Sequence, residues 1–140
     1  MESREKDLRH RDLTGRIIKA FYEVYNEMGH GYVESVYQHA LALALKDEGL
    51  VAESQCALTV WFHGYPVGDF RADFVVEGTI LIELKCSKAI DPVHEAQLLN
   101  YLRATDLEVG LLLNFGPKPE FKRLVFENTR KRIPHPHYSA

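Results

Sequence analysis

Asp73-Phe74-Val75-Val76-Glu77-Gly78-Thr79-Ile80-Leu81-Ile82-Glu83-Leu84-Lys85 is the stretch that decides the fold. An apolar run with an acid near its start meets a turn signal at Glu77-Gly78. A second apolar run then ends in acid, apolar, base. Side chains alternate between faces along a strand, so Glu83 and Lys85 share one face, roughly 7 Å apart. Ile80, Ile82 and Leu84 point the other way, into a core. The turn then decides where Asp73 falls. A two-residue turn at Glu77-Gly78 pairs Asp73 with Ile82, on the wrong face. A three-residue loop of Glu77, Gly78 and Thr79, with Gly78 at positive φ, pairs Asp73 with Glu83. That loop, or a bulge with the same effect, is the prediction, and it brings two carboxylates and a lysine to one spot. Carboxylates so placed bind a hard cation such as Mg²⁺ through oxygen. A lysine beside them can hold a phosphate or orient an attacking water. The simpler reading is a solvated strand face that happens to carry charge. Against it stands the near-continuous apolar sequence on either side, which marks a central strand where unpaired charge is costly.

A chain of 140 residues has room for one domain with a real core. Its 46% hydrophobic and 26% charged residues are those of an ordinary soluble globular protein. The N-terminus is charged and no apolar run reaches 18 residues, so a cytoplasmic protein with no membrane partner is expected. Cys56 and Cys86 lack CxxC spacing and read as buried free thiols. Cys86 is next to Lys85, but alternation sends it to the apolar face. The histidines form no HxxxH or HExxH pair, and there is no GxSxG, P-loop or post-strand GxGxxG. A net charge of −3 does not by itself announce a nucleic-acid binder. Basic residues nonetheless crowd both ends, from Arg4 to Lys19 and from Lys118 to Arg132, as phosphate-facing patches or as solvated surface.

Around the central stretch the pattern gives α-α-β-β-β-α-β-β. Residues 1–11 read as a flexible segment. Asp12 or Thr14 caps a helix to about Met28, with Ile17, Phe21, Val24, Tyr25 and Met28 on one face. Gly29-His30-Gly31 ends it. A second helix covers about Val33 to Glu48, and Gly49 closes it. Strands follow at 56–62 and 67–76, joined by a turn at His63-Gly64-Tyr65-Pro66. Phe70, Ala72, Phe74 and Val76 are expected on one apolar face, with Asp69, Arg71 and Asp73 opposite. A third strand covers 79–86, and Asp91-Pro92 opens a helix to Ala104. The apolar run 108–115 is an interior strand, 121–128 a last strand, and 133–140 a tail containing Pro134-His135-Pro136-His137. The fold class is α/β in the broad sense, α+β in detail: a single domain from 12 to 132 with a mixed four- to five-stranded central sheet flanked by helices.

Further residues invite a role. Glu34, in the first turn of the second helix, has a simple reading in the helix dipole. Tyr37 lies three residues on, on a neighbouring face. Gln97 and Tyr101 stack on one side of the third helix, where Tyr101 reads equally as a core aromatic with a polar tip. Arg123 meets a phosphate or stands in water.

Asp73 followed after a hairpin by Glu83-Leu84-Lys85 resembles the signature of the PD-(D/E)XK nuclease superfamily, and the helix with Gln97 stands where that superfamily often has a glutamine. More narrowly, Gly31-Tyr32-Val33-Glu34-Ser35-Val36-Tyr37 reads as G-x-x-E-x-x-Y. With Ile82-Glu83-Leu84-Lys85, Gln97-Leu98-Leu99-Asn100-Tyr101-Leu102 and Gly110-Leu111-Leu112-Leu113-Asn114-Phe115-Gly116, it is similar to the GxxExxY protein family. The resemblance implies a restriction-endonuclease-like core and metal-dependent phosphodiester cleavage, with DNA as partner. It implies Asp73 and Glu83 as ligands of Mg²⁺ (or Mn²⁺), joined by the Leu84 carbonyl. Lys85 would be the catalytic lysine, Gln97 a supporting group and Glu34 an additional acid. Tyr37, Tyr101 and Arg123 would face the nucleic acid. The superfamily's proline before the aspartate is replaced by Ala72. A homodimer is expected, because one small domain covers little of a duplex. The competing reading is a nuclease fold kept as a non-catalytic module that binds nucleic acid or a protein.

Overall fold

A computed structural model describes residues 2–131, with side chains from residue 4 onward. The expected order is found. Helices α1 (Glu2–Met28) and α2 (Glu34–Asp47) precede strands β1 (Ala52–Phe62), β2 (Tyr65–Val76) and β3 (Ile80–Lys85). Helix α3 (Pro92–Ala104), strands β4 (Val109–Phe115) and β5 (Pro119–Val125) and a 3-10 turn at Asn128–Arg130 follow. The strands form one five-stranded sheet in the order β1-β2-β3-β4-β5. Only the β3–β4 pair is parallel, and α3 makes that crossover.

The deciding hairpin has the register that places the acids together. Val76 pairs with Ile80 and Phe74 with Ile82, which leaves Glu77, Gly78 and Thr79 as the loop. One step further, Asp73 stands opposite Glu83. Gly78 has φ +62°, as the loop requires, and Glu77 joins it at φ +53°. The Thr79 amide donates to the Val76 carbonyl at 2.9 Å and closes the loop. With β3 third of five strands, the Glu-x-Lys strand is central.

Two layers cover the sheet unequally. Ile17, Phe21 and Val24 of α1 and Tyr37, Leu41 and Leu45 of α2 pack on Phe74, Val76, Ile80, Ile82, Leu84, Leu111 and Leu113. On the other face, Leu98 and Leu102 of α3 cover Ala72, Val75, Leu81 and Leu112. Helix α3 is the better capped helix. The Asp91 carboxylate accepts the Val93 amide at 2.8 Å, Asp91 N–H donates to His94 Nδ1 at 3.4 Å, and Pro92 follows directly.

Several expectations change. Helix α1 begins at Glu2, not at a cap on Asp12 or Thr14. Lys6 reaches Glu108 at 2.7 Å and Arg11 pairs with Asp7 at 3.1 Å, so the polar first turns have partners that composition does not reveal. Phe70, Ala72, Phe74 and Val76 do not share one face: Phe74 and Val76 lie under α1 and α2, whereas Ala72 and Phe70 lie under α3. The alternation breaks at Asp73, for a reason given below. Cys56 and Cys86 are free, but Cys86 is exposed and Cys56 half-buried. Strand β5 starts at Pro119 and ends at Val125. Arg132 and the tail 133–140 lie outside the described residues.

Candidate active site

Asp73, Glu83 and Lys85 meet on the α3 face of the sheet, and α2 brings Glu34 to the same spot. Glu83 is 9% exposed, flanked on its strand by the buried Leu81 and Leu84. Its carboxyl is pushed up to about 8, first by burial, then by the charge of Asp73 and a hydrogen bond with it; Lys85 opposes and Glu34 adds to the rise. Glu34, exposed at the start of α2, is also raised, by desolvation and then by Asp73, with Lys85 again opposing. Glu83 and Glu34 thus both feel Asp73 and Lys85. Asp73 Oδ2 accepts the Leu84 amide at 2.7 Å, so its carboxylate binds the strand beside it. Among the described residues Lys85 closes no ion pair.

Two carboxyls held together, one of them buried, are under repulsion. The protein alone relieves it by keeping a proton on Glu83. A divalent cation would relieve it better. Glu83 Oε1 is buried and without a hydrogen-bond partner, an acceptor that a cation would satisfy. Among the described residues no three His, Cys, Asp or Glu side chains form a ready ligand set. The residues fit a cation that takes two carboxylates and completes its shell with other oxygens, as Mg²⁺ commonly does.

Tyr101 borders this group. It stacks on Phe70 with centroids 3.6 Å apart, and its hydroxyl proton is held more tightly because of burial, then Glu83 and Asp73. Beyond Lys85 the loop after β3 opens a hollow of ≈ 350 Å³, lined by His30, Tyr32, Cys86, Ser87 and Lys88 among others. Its floor is rigid, because the buried Asn114 amide bonds both backbone groups of Ser87, at 2.9 and 3.0 Å.

Two expected site residues lie elsewhere, and a third makes no bond to the acids. Tyr37 is fully buried; its hydroxyl donates to the Gly29 carbonyl at 2.6 Å and its ring stacks on Phe115 at 4.3 Å, so it cannot touch a nucleic acid. Arg123 pairs with Leu111 and so points to the α1 side of the sheet, away from the acids. Its guanidinium is held below its usual value by burial and then by Arg11, and its Nε and Nη2 are buried without partners. Gln97 is on α3 but exposed, and among the described residues no hydrogen bond joins it to the carboxylates. The side chain of Leu84 is in the core; it is its amide that serves Asp73. Two residues were not foreseen. Gln55 of β1 donates to Gln38 Oε1 at 2.9 Å and lies 3.5 Å from Asp73 Oδ1. Only the spacing of Gln38, one turn after Glu34, hinted at this.

A central strand with Glu-x-Lys, an aspartate from the antiparallel strand beside it and helices on both faces define an α+β domain of nuclease type. The chain belongs to the PD-(D/E)XK nuclease superfamily, whose family model matches residues 11–124. Among solved structures it resembles the crystal structure of SSO0001, with a TM-score of 0.51 at 22% identity, over 66% of this chain and 50% of that one. The chain thus spans half the length of that protein, and the likeness concerns the fold alone. Comparison with curated proteins gives no match. Among the described residues no helix is long and apolar enough to cross a membrane.

Proposed function

We propose that this protein is a metal-dependent nuclease that hydrolyses phosphodiester bonds in DNA, with Asp73 and Glu83 as ligands of Mg²⁺ and Lys85 as the catalytic lysine. The observation that carries the reading is the buried, unpartnered Oε1 of Glu83 beside Asp73, with the Lys85 charge within reach of Glu83. A buried acid beside a second carboxylate costs stability unless function maintains it. Bound there, a divalent cation supplies a Lewis acid for the phosphoryl group and a water of lowered pKa. The chain's own residues do the rest. Asp73, fixed by the Leu84 amide, presents its remaining lone pairs in a set direction. Lys85 orients the attacking water and offsets the charge that develops on the phosphate. Glu34, at the rim, adds a third acid within reach of the Lys85 charge. The Tyr101 ring, seated on Phe70, gives a base or sugar a surface to rest on. The hollow beyond Lys85 leaves room for the chain on one side of the scissile phosphate. The G-x-x-E-x-x-Y run of α2 supports assigning the protein to the GxxExxY branch of the superfamily.

The test uses the purified protein with plasmid, linear and single-stranded DNA and with RNA, each with Mg²⁺, Mn²⁺ or EDTA. Cleavage of DNA with the cation and none in EDTA is expected. Asp73→Ala and Lys85→Ala should be slower by about a hundredfold or more. Cleavage of RNA alone would move the substrate class. A wild type that cuts nothing, or variants that cut as well as wild type, would refute the proposal. Binding of DNA without cleavage would identify a binding module on a nuclease fold.

A further inference from the structure

Gln55 stands where the regular pairing of β1 and β2 is interrupted. Ser54 pairs with Phe74 and Cys56 with Ala72, while Gln55 and Asp73, which would face each other between them, do not pair. Gln55 has φ +51°, in the left-handed region that L side chains rarely adopt. Glycine or asparagine holds that conformation at less cost, so a glutamine there calls for a reason in its side chain. Both strands turn over at this point. Ala52 packs under α2 but Cys56 and Leu58 under α3, as Phe74 and Ala72 divide on the partner strand. Arg71 Nη1 holds the Gln55 carbonyl at 3.1 Å. The Gln55 amide nitrogen is then aimed two ways, at Gln38 Oε1 at 2.9 Å and at Asp73 Oδ1 at 3.5 Å. Gln38 shares a face of α2 with Glu34, one turn away. Asp73 is held from its other side, where Oδ2 takes the Leu84 amide at 2.7 Å.

We infer that Gln55 is a positioning residue of the site: its amide ties the helix bearing Glu34 to the strand bearing Asp73. The tie sets how far apart those two carboxylates stand and which way Asp73 presents its free lone pairs. This rests on the nuclease reading. The choice of residue follows from the chemistry. A primary amide nitrogen carries two hydrogens, one for each of two acceptors, and adds no charge beside acids already in repulsion.

Gln55→Gly and Gln38→Leu test it in the full chain. Glycine removes the amide and relieves the left-handed backbone, so Tm should hold or rise. Mn²⁺ affinity, read by calorimetry, should fall about tenfold, and kcat on DNA should fall similarly with KM unchanged. Gln38→Leu should give a smaller loss of the same kind with Tm maintained. A purely structural role would move Tm and leave affinity and kcat alone. Wild-type affinity and kcat in Gln55→Gly would overturn the inference; if that variant does not fold, the same result in Gln38→Leu would. Should the wild type bind no Mn²⁺ and cut nothing, the nuclease reading fails by itself. The tie is then read by hydrogen exchange at the Leu84 amide: faster exchange in Gln55→Gly supports it, and unchanged exchange rejects it.

Discussion

The two faces of the sheet carry similar aromatic stacks and put them to different uses. Under α1 and α2, Tyr37 lies on Phe115, fully buried, with its hydroxyl spent on Gly29. Under α3, Tyr101 lies on Phe70, half-buried, with its hydroxyl toward Glu83 and Asp73. Two helices seal the first face, and no charge of the central strand points into it. One shorter helix covers the second, where Glu83 stays buried and Lys85, at the end of β3, is half-exposed. A central strand tolerates charge where its cover is thin enough for water, an ion or a substrate to reach it. The same strand thus provides core on one side and chemistry on the other.

Substitutions can break that contrast. The largest effect on stability is expected at the sealed face. Tyr37→Ala should lose about 3–5 kcal/mol in denaturant unfolding, through lost packing and the stranded Gly29 carbonyl. Tyr101→Ala should lose about 1–2 kcal/mol and impair cleavage instead. Equal losses at the two positions would show that the faces are not different in kind.

The acid pair should give the next effect, through pH. Because the folded protein raises the Glu83 carboxyl from 4.5 to about 8, it binds the proton more tightly than the unfolded chain does. The stability this contributes is whole below the ordinary glutamate value and is lost as pH rises through about 8, without added cation. A loss on the order of a few kcal/mol is expected, and Glu83→Gln should flatten the curve. A divalent cation should restore stability at high pH, because it favours the ionised pair. Flat unfolding curves for the wild type between pH 5 and 8 would refute the burial argument.

Smaller effects sharpen the picture. A Cβ on Gly110 would meet Leu98 Cδ1 at 2.9 Å, so Gly110→Ala should lift α3 at a cost of about 1–3 kcal/mol. Thermal unfolding reads this, and a neutral result would mean that α3 is loosely seated. The Lys6–Glu108 pair at 2.7 Å fixes the first turns of α1 at the surface. Lys6→Ala should cost less than about 1 kcal/mol, less still at high salt, by the same measurement.

Element order, the central position of the Glu-x-Lys strand and the three-residue loop at Glu77–Thr79 were all legible from the chain, because period, turn chemistry and hairpin register are local. So was the meeting of Asp73, Glu83 and Lys85, which follows from register once the loop length is known. Glu34 was legible only through the family resemblance, since a helix and a sheet are brought together by packing. Tyr37 and Arg123 differ from expectation for a related reason: residue type marks them as able to bind, and only the layer above them decides whether anything reaches them. The first turns of α1 have a partner in Glu108, about a hundred residues away in sequence, which local pattern does not show. The turnover at Gln55 and Asp73 left no trace in the alternation, because both strands switch face together and keep their register. The sequence by itself determined the strands, their pairing and the three charges on one face, since these depend on neighbours along the chain. Which charges lie open, and what holds Asp73 in place, only the tertiary structure decided, because both depend on contacts between segments far apart in sequence.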